Sequence, residues 1–254
     1  MPHPCHKPWR RRGDCSGGIT LAHSPTCAPT VLDSTRLADA EAGNGPFPLL
    51  VARGMLSEAS QQALLHDFPD YRSAGFFPYD PADCGPSIRT LVDEITAPGF
   101  ADAVGVRLGI PGLGRFPALA TLCQALNRRH GTIHTDSRSK VATALLYLEP
   151  HWPGTSDGCL RFLARVDDID ALVAPEIRPL YGTLVAFKRA DNSFHGHLPY
   201  EGVRRVIQVA WLTSDAERLR KTRRGRGSHL FKKLLGRLDR WFGAGRGRNA
   251  SHRD

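Results

Sequence analysis

Apolar residues along this chain change their spacing once, near residue 132, and that change restricts the folds open to it. Before it, they recur every three or four positions, the period of an amphipathic helix. Leu64, Leu65 and Phe68 share one face after Ser57, a candidate N-cap, and Pro69 ends the segment. Ser87 is expected to cap a second helix with Ile88, Leu91, Val92 and Ile95 inward. Pro98 is expected to open a third, with Phe100, Val104 and Leu108 inward. A short strand within PFPLLVARGML (46–56) precedes these helices, and FFPYDPADCGP (76–86) reads as loop. Beyond residue 132 the pattern becomes strand-like: VATALLYLE (141–149), CLRFL (159–163), GTLVAFKR (182–189) and VRRVIQVAWL (203–212). Helices first and strands afterwards predict an α+β domain, its helices packed on one face of mainly antiparallel β structure. There is no internal repeat.

Charge divides the chain differently. Residues 216–254 carry thirteen Lys and Arg against three Asp and Glu, whereas the other 215 residues are nearly neutral. The net charge of +9 therefore belongs to the tail and says nothing about what the main domain binds. Residues 1–45, rich in Pro, Gly, Ser and Thr, are expected to be a disordered leader or a stretch upstream of the true start. The expected organisation is leader 1–45, domain 46–215 and basic amphipathic tail 216–254. Within the tail, Leu230, Phe231, Leu234, Leu235, Leu238, Trp241 and Phe242 fall on one helical stripe opposite Lys and Arg. Packing on the domain leads for this helix, and an anionic membrane surface comes second. Nucleic acid comes last, since the aromatics share the apolar stripe. No run of apolar residues is long enough to span a bilayer, and the N-terminus lacks a signal-peptide core. A cytoplasmic location is expected, peripheral to the inner membrane face if the tail engages lipid. The six cysteines form no CxxC pair and are expected to be reduced thiols.

The residues with chemistry begin at His134-Thr-Asp136. On a strand, positions i and i+2 project to the same face, so His134 and Asp136 can converge on one metal ion. A histidine from His195-Gly196-His197 could complete the set. Two imidazoles and a carboxylate, with three positions open, suit ferrous iron that must also admit a cosubstrate and dioxygen. Arg205 lies on a strand expected to be buried and needs a partner, either the distal carboxylate of a dicarboxylate or an internal acid. Its neighbour Arg204 points to the opposite face and is expected in solvent.

Four blocks give this chain a family likeness: IHTDSRSKVATALLYLEPHW (133–152), DGCLRFL (157–163), YGTLVAFKRADNSFHGHLPYEG (181–202) and VRRVIQVAWL (203–212). Their order resembles that of the iron(II)/2-oxoglutarate-dependent dioxygenases, in the prolyl 4-hydroxylase-like branch. Asp157 stands where the family's Gly-Gly-x-Leu-Arg strand has its first glycine. The resemblance implies a double-stranded β-helix (jelly-roll) core, with the N-terminal helices on one face and the amphipathic helix at the C-terminus. It implies Fe(II), 2-oxoglutarate and O2, with ascorbate as a reductant, and hydroxylation of an unactivated C–H bond with release of succinate and CO2. His134, Asp136 and His195 would bind iron, with His197 as the alternative distal ligand. Arg205 would take the C5 carboxylate of 2-oxoglutarate, and Tyr147 would add a hydroxyl to it. The substrate would be a peptide, prolyl hydroxylation leading, or a small metabolite. A degenerate jelly roll that binds without catalysis is the alternative.

Overall fold

The computed structural model describes residues 30–224. The expected helix at 228–242 and Cys5, Cys15 and Cys27 lie outside the described residues. Among the described residues, nine strands and three complete α-helices occur, and the three helices all precede the strand-rich half that starts at Ala118, as expected. Strand β1 (Glu41–Asn44) and β2 (Pro48–Ala52) form a hairpin, followed by α1 (Gln61–Asp67) and β3 (Phe76–Pro78). Helices α2 (Pro86–Thr96) and α3 (Pro98–Leu108) precede β4 (Ala118–Leu126) and β5 (Lys140–Tyr147). The chain continues through β6 (Arg161–Leu163), β7 (Leu184–Lys188), β8 (Phe194–Gly196) and β9 (Gly202–Leu212), then a helical stretch over 215–224.

Two of these features correct the sequence reading. Residues 30–45, expected in the leader, belong to the fold: Leu32 pairs with Leu56, the amides of Val31 and Leu32 donate to Glu94, and β1 lies at a sheet edge. Residues 76–78, expected as loop, pair with β4 as an edge strand.

The helices form where their apolar faces can be covered. Ile88, Leu91, Val92 and Ile95 of α2 are all at most 2% exposed, as their spacing predicts. Each such burial contributes roughly 1.5–3 kcal/mol. Proline occupies the first turn of α2 and α3, where no amide bond is lost. Ser87 is not the cap of α2 but sits in its first turn. The cap comes from α1, where the Asp67 carboxylate accepts from the amide and hydroxyl of Ser87, both at 2.8 Å.

The large sheet runs β1-β2-β7-β5-β9-β4-β3, antiparallel throughout, and β6 pairs with β8 in a small second sheet. Strand alternation sorts side chains into two layers. Ala142, Ala144, Leu146, Ile207, Val209 and Trp211 face the helices in the larger core. Leu145, Tyr147, Val185, Phe187 and Val206 face the small sheet, meeting Leu160 and Phe162. This two-sheet sandwich, with helices on one outer face, is a double-stranded β-helix within an α+β chain. The space between the sheets holds the site.

Candidate metal and cosubstrate site

His134 and His195 are direct partners across an antiparallel bridge, each donating its amide to the other's carbonyl at 3.0 Å. Their rings lie 4.4 Å apart, centroid to centroid. Asp136, two residues on, projects to the same side. One nitrogen from each ring and one carboxylate oxygen all fall within 4.8 Å of one another.

The local bonds prepare these groups as ligands. Nδ1 of His134 meets the Thr132 carbonyl at 2.8 Å, and Nδ1 of His195 meets the Ser193 carbonyl at 2.9 Å. A carbonyl only accepts, so both Nδ1 atoms carry a proton and Nε2 is the nitrogen left for a metal. Burial lowers the pKa of His195 to about 4, against the pull of Asp136, so the ring is neutral near pH 7. Burial opposes ionisation of Asp136, but Lys140, His195 and Thr143 outweigh it and hold its pKa below the ordinary value. Lys140 Nζ and Thr143 Oγ1 each donate to Asp136 at 2.5 Å. Two imidazoles with Nε2 free and one ionised carboxylate fit a divalent metal, leaving several coordination positions for other ligands.

The triad opens into a pocket of about 410 Å³ whose wall includes Arg204, His197, Gln208, Lys140, Thr143 and Phe187. Arg204 is only 3% exposed. Its Nε donates to the Gly158 carbonyl at 3.0 Å and Nη2 to the Tyr147 hydroxyl at 3.1 Å. A guanidinium has five N–H groups, and the remaining ones have no acceptor among the described residues.

Arg205 does something else. Its amide and Nη1 both donate to Glu149, at 2.9 and 3.0 Å, away from the pocket. The arginine on the pocket wall is therefore Arg204, expected in solvent, and the internal-acid alternative describes Arg205. Strand parity explains this: Arg204 shares a face with Val206 and Gln208, whereas Arg205 shares one with Ile207, Val209 and Trp211. Tyr147 is fully buried behind Arg204 and reaches the pocket only through that guanidinium.

His197 lies on the pocket wall without joining the triad. Its Nδ1 meets the Leu198 carbonyl at 2.7 Å, and burial, with Arg204 nearby, lowers its pKa to about 4. Gly131 passes so close that a Cβ there would lie 2.3 Å from the His197 ring, and its φ of 92° already favours glycine. Lys140, Thr143 and Gln208 are site residues that sequence reasoning missed. Lys140 and Thr143 carried a readable signal, four and seven residues past Asp136 at the start of the strand.

Residues 122–213 match the family described as 2OG-Fe(II) oxygenase superfamily. That match spans 92 of the chain's 254 residues, and over it the chain is similar to this superfamily. Oxygenases of that superfamily are dioxygenases that use Fe(II), 2-oxoglutarate and O2, and the matched segment carries a His-Asp-His set able to hold such a metal. The matched segment runs from β4 to the end of β9 and contains the triad and Arg204. Among solved structures, a prolyl-4-hydroxylase from Pseudomonas putida shares the fold at 16% identity and TM-score 0.50, over 71% of this chain and 98% of that one. A Trichoplax adhaerens prolyl hydroxylase, solved with a hypoxia inducible factor peptide, is 16% identical at TM-score 0.45, over 75% of this chain and 90% of that one. No curated protein matches the chain. No helix among the described residues is long and apolar enough to cross a membrane.

Proposed function

We propose that this oxygenase hydroxylates an unactivated C–H bond of a peptide or small metabolite, with His134, Asp136 and His195 holding iron and Arg204 holding 2-oxoglutarate. Bound iron supplies oxygen activation coupled to oxidative decarboxylation of the cosubstrate to succinate and CO2. The protein supplies position and charge. His134 and His195 present lone pairs fixed by backbone carbonyls, and Thr143 and Lys140 orient the Asp136 carboxylate. Arg204, aligned by Gly158 and Tyr147, offers its free N–H groups to the far carboxylate of the cosubstrate. Leu145, Leu160 and Phe187 line the same pocket and keep water from the reacting centre.

The observation that carries this reading is one pocket holding both the triad and an arginine with unused donors. Prolyl hydroxylation leads among the reactions, on the likeness in fold to the Pseudomonas enzyme. The catalytic unit comprises 46–215 together with residues 30–45 that pack onto it. The excess of basic residues over 216–254 supports contact of the tail with an anionic membrane surface.

Anaerobic addition of Fe(II) and 2-oxoglutarate tests the assignment. A visible metal-to-ligand charge-transfer band is expected in the wild type and not in His134→Ala. Succinate release in air should follow the band. A band that survives loss of His134 refutes the ligand set.

A further inference from the structure

The ionisable groups on the pocket wall are unequal in sign. Among the described residues Asp136 is the only carboxylate there, against Arg129, Lys140 and Arg204, with His130, His134, His195 and His197 beside them. Lys140 is engaged by Asp136, and Arg204 serves the cosubstrate in the function proposed above, on which this inference rests. Loading does not remove the excess. The two charges of ferrous iron cancel the two of 2-oxoglutarate, which leaves Lys140 and Arg204 facing Asp136 alone. Arg129 then stands over as a further cation.

Arg129 lies in the turn between β4 and His134, with an exposed side chain. Among the described residues its guanidinium has no hydrogen-bonding or ion-pair partner; only its amide is bonded, to Asn127 Oδ1 at 3.1 Å. The turn is held firmly. The His130 amide donates to the Asn127 carbonyl, and the His197 amide donates to the Gly131 carbonyl, both at 3.0 Å. Phe76, 39% exposed, lines the same pocket and gives it an apolar element beside the cation. Outside the pocket wall, Lys221 reaches Ser137 at 3.0 Å, with Lys140 near enough to act on its charge. The nearby acid Asp191 is taken by Arg189 and Arg138.

We infer that the primary substrate carries an anionic group, a carboxylate, which Arg129 receives at the pocket mouth while the C–H bond to be oxidised sits beside the triad. An anion there gains from the uncompensated positive field and from a fork of N–H donors that matches a carboxylate. The carboxylate can belong to a free amino or organic acid, or to an acidic side chain flanking the target residue in a peptide.

The test uses the iron-loaded enzyme with 2-oxoglutarate and substrates in matched pairs. Free acids are set against their primary amides, and prolyl peptides with Glu beside the proline against the same peptides with Gln. Substrate-stimulated succinate release and displacement of the anaerobic charge-transfer band are both read. Acids are expected to outperform their amides. Arg129→Glu should raise the KM for the acid by roughly tenfold or more and abolish the preference, leaving the 2-oxoglutarate-dependent band intact. Activity with free acids alone assigns a small metabolite, and activity with Glu peptides alone assigns a peptide. Arg128→Glu, one residue away and outside the pocket wall, should change the KM little. The proposal is overturned if amides match or exceed acids, if no acid of either kind stimulates turnover, or if both charge reversals lose equally. Absence of the band in the wild type would overturn the proposed function instead.

Discussion

Exchanging the two adjacent arginines of β9 separates their roles. Arg204 spends two N–H groups on Gly158 and Tyr147 and keeps the others for the cosubstrate. Replacing it with Met removes the cationic half of a buried, charge-assisted contact, a loss of roughly 2–5 kcal/mol. At about 1.4 kcal/mol per factor of ten, the Kd for 2-oxoglutarate should rise about thirty-fold to several thousand-fold. The unliganded protein should suffer less. Its buried guanidinium faces no carboxylate in the described structure, so relief of that charge offsets part of the about 1–3 kcal/mol lost when the Tyr147 hydroxyl and Gly158 carbonyl are left without a donor. Arg205→Gln should do the reverse. It loses a pair with Glu149 and about 1–3 kcal/mol of stability but leaves the Kd within a few-fold. Calorimetric titration of 2-oxoglutarate into anaerobic, Mn(II)-loaded protein measures the first effect, and thermal melts with and without ligand measure the second. Ligand at a hundred times Kd should stabilise the wild type by about 2.7 kcal/mol, and the same concentration should barely stabilise Arg204→Met. Tight binding in Arg204→Met with weak binding in Arg205→Gln would refute the parity argument.

Tyr147→Phe removes one of the two bonds that align Arg204, and the Kd for 2-oxoglutarate should rise about three- to tenfold with iron affinity unchanged, by the same calorimetry. Gly158→Ala would put a Cβ 2.9 Å from Trp152 and Tyr200, at a φ of 72°. It should cost about 1–3 kcal/mol in a urea melt and weaken 2-oxoglutarate binding by moving the carbonyl that holds Arg204. Chelator-treated protein should lose stability as pH falls from about 6.5 to about 4. In that window the unfolded chain protonates His195 and His197 while the folded chain keeps both neutral. Above it both states are neutral, and below it both are charged, so the loss levels off. Urea midpoints that do not move between pH 7 and pH 4.5 would contradict this.

The helices were legible because their signals are local. In α2 the apolar residues 88, 91, 92 and 95 repeat at helical spacing after Pro86, and nothing distant is needed to read them. Strands β5, β7 and β9 were legible for a related reason, since each is a dense apolar run that can only be buried. Strand β4, read as no element at all, is ALATLCQAL. It lacks valine, isoleucine and aromatics, so its composition favours helix, and only pairing with β9 and β3 makes it extended. Residues 30–45 failed similarly. Their polar, glycine-bearing sequence holds little local preference, and their order comes from contacts to Glu94 and Leu56, far along the chain.

At the site the divide falls between residues related by local spacing and residues related by register. His134 and Asp136 are two apart on an extended segment, so their convergence follows from the chain alone. The choice between Arg204 and Arg205 does not, because alternation says that they oppose each other without saying which face is the pocket. Trp211 does not mark the pocket side, since it faces the helices with Arg205. Register supplies the right one. Tyr147 pairs with Val206 and Leu145 with Gln208, and Leu145 and Gln208 both line the pocket. Even-numbered residues of β9 therefore look inward from 204 to 208. A polar residue in an otherwise apolar strand marks the same face: Gln208 would have no reason to point into the helix-covered core. Strands of this kind are best read by letting their lone neutral polar residue, rather than their largest aromatic, name the side that holds the ligand.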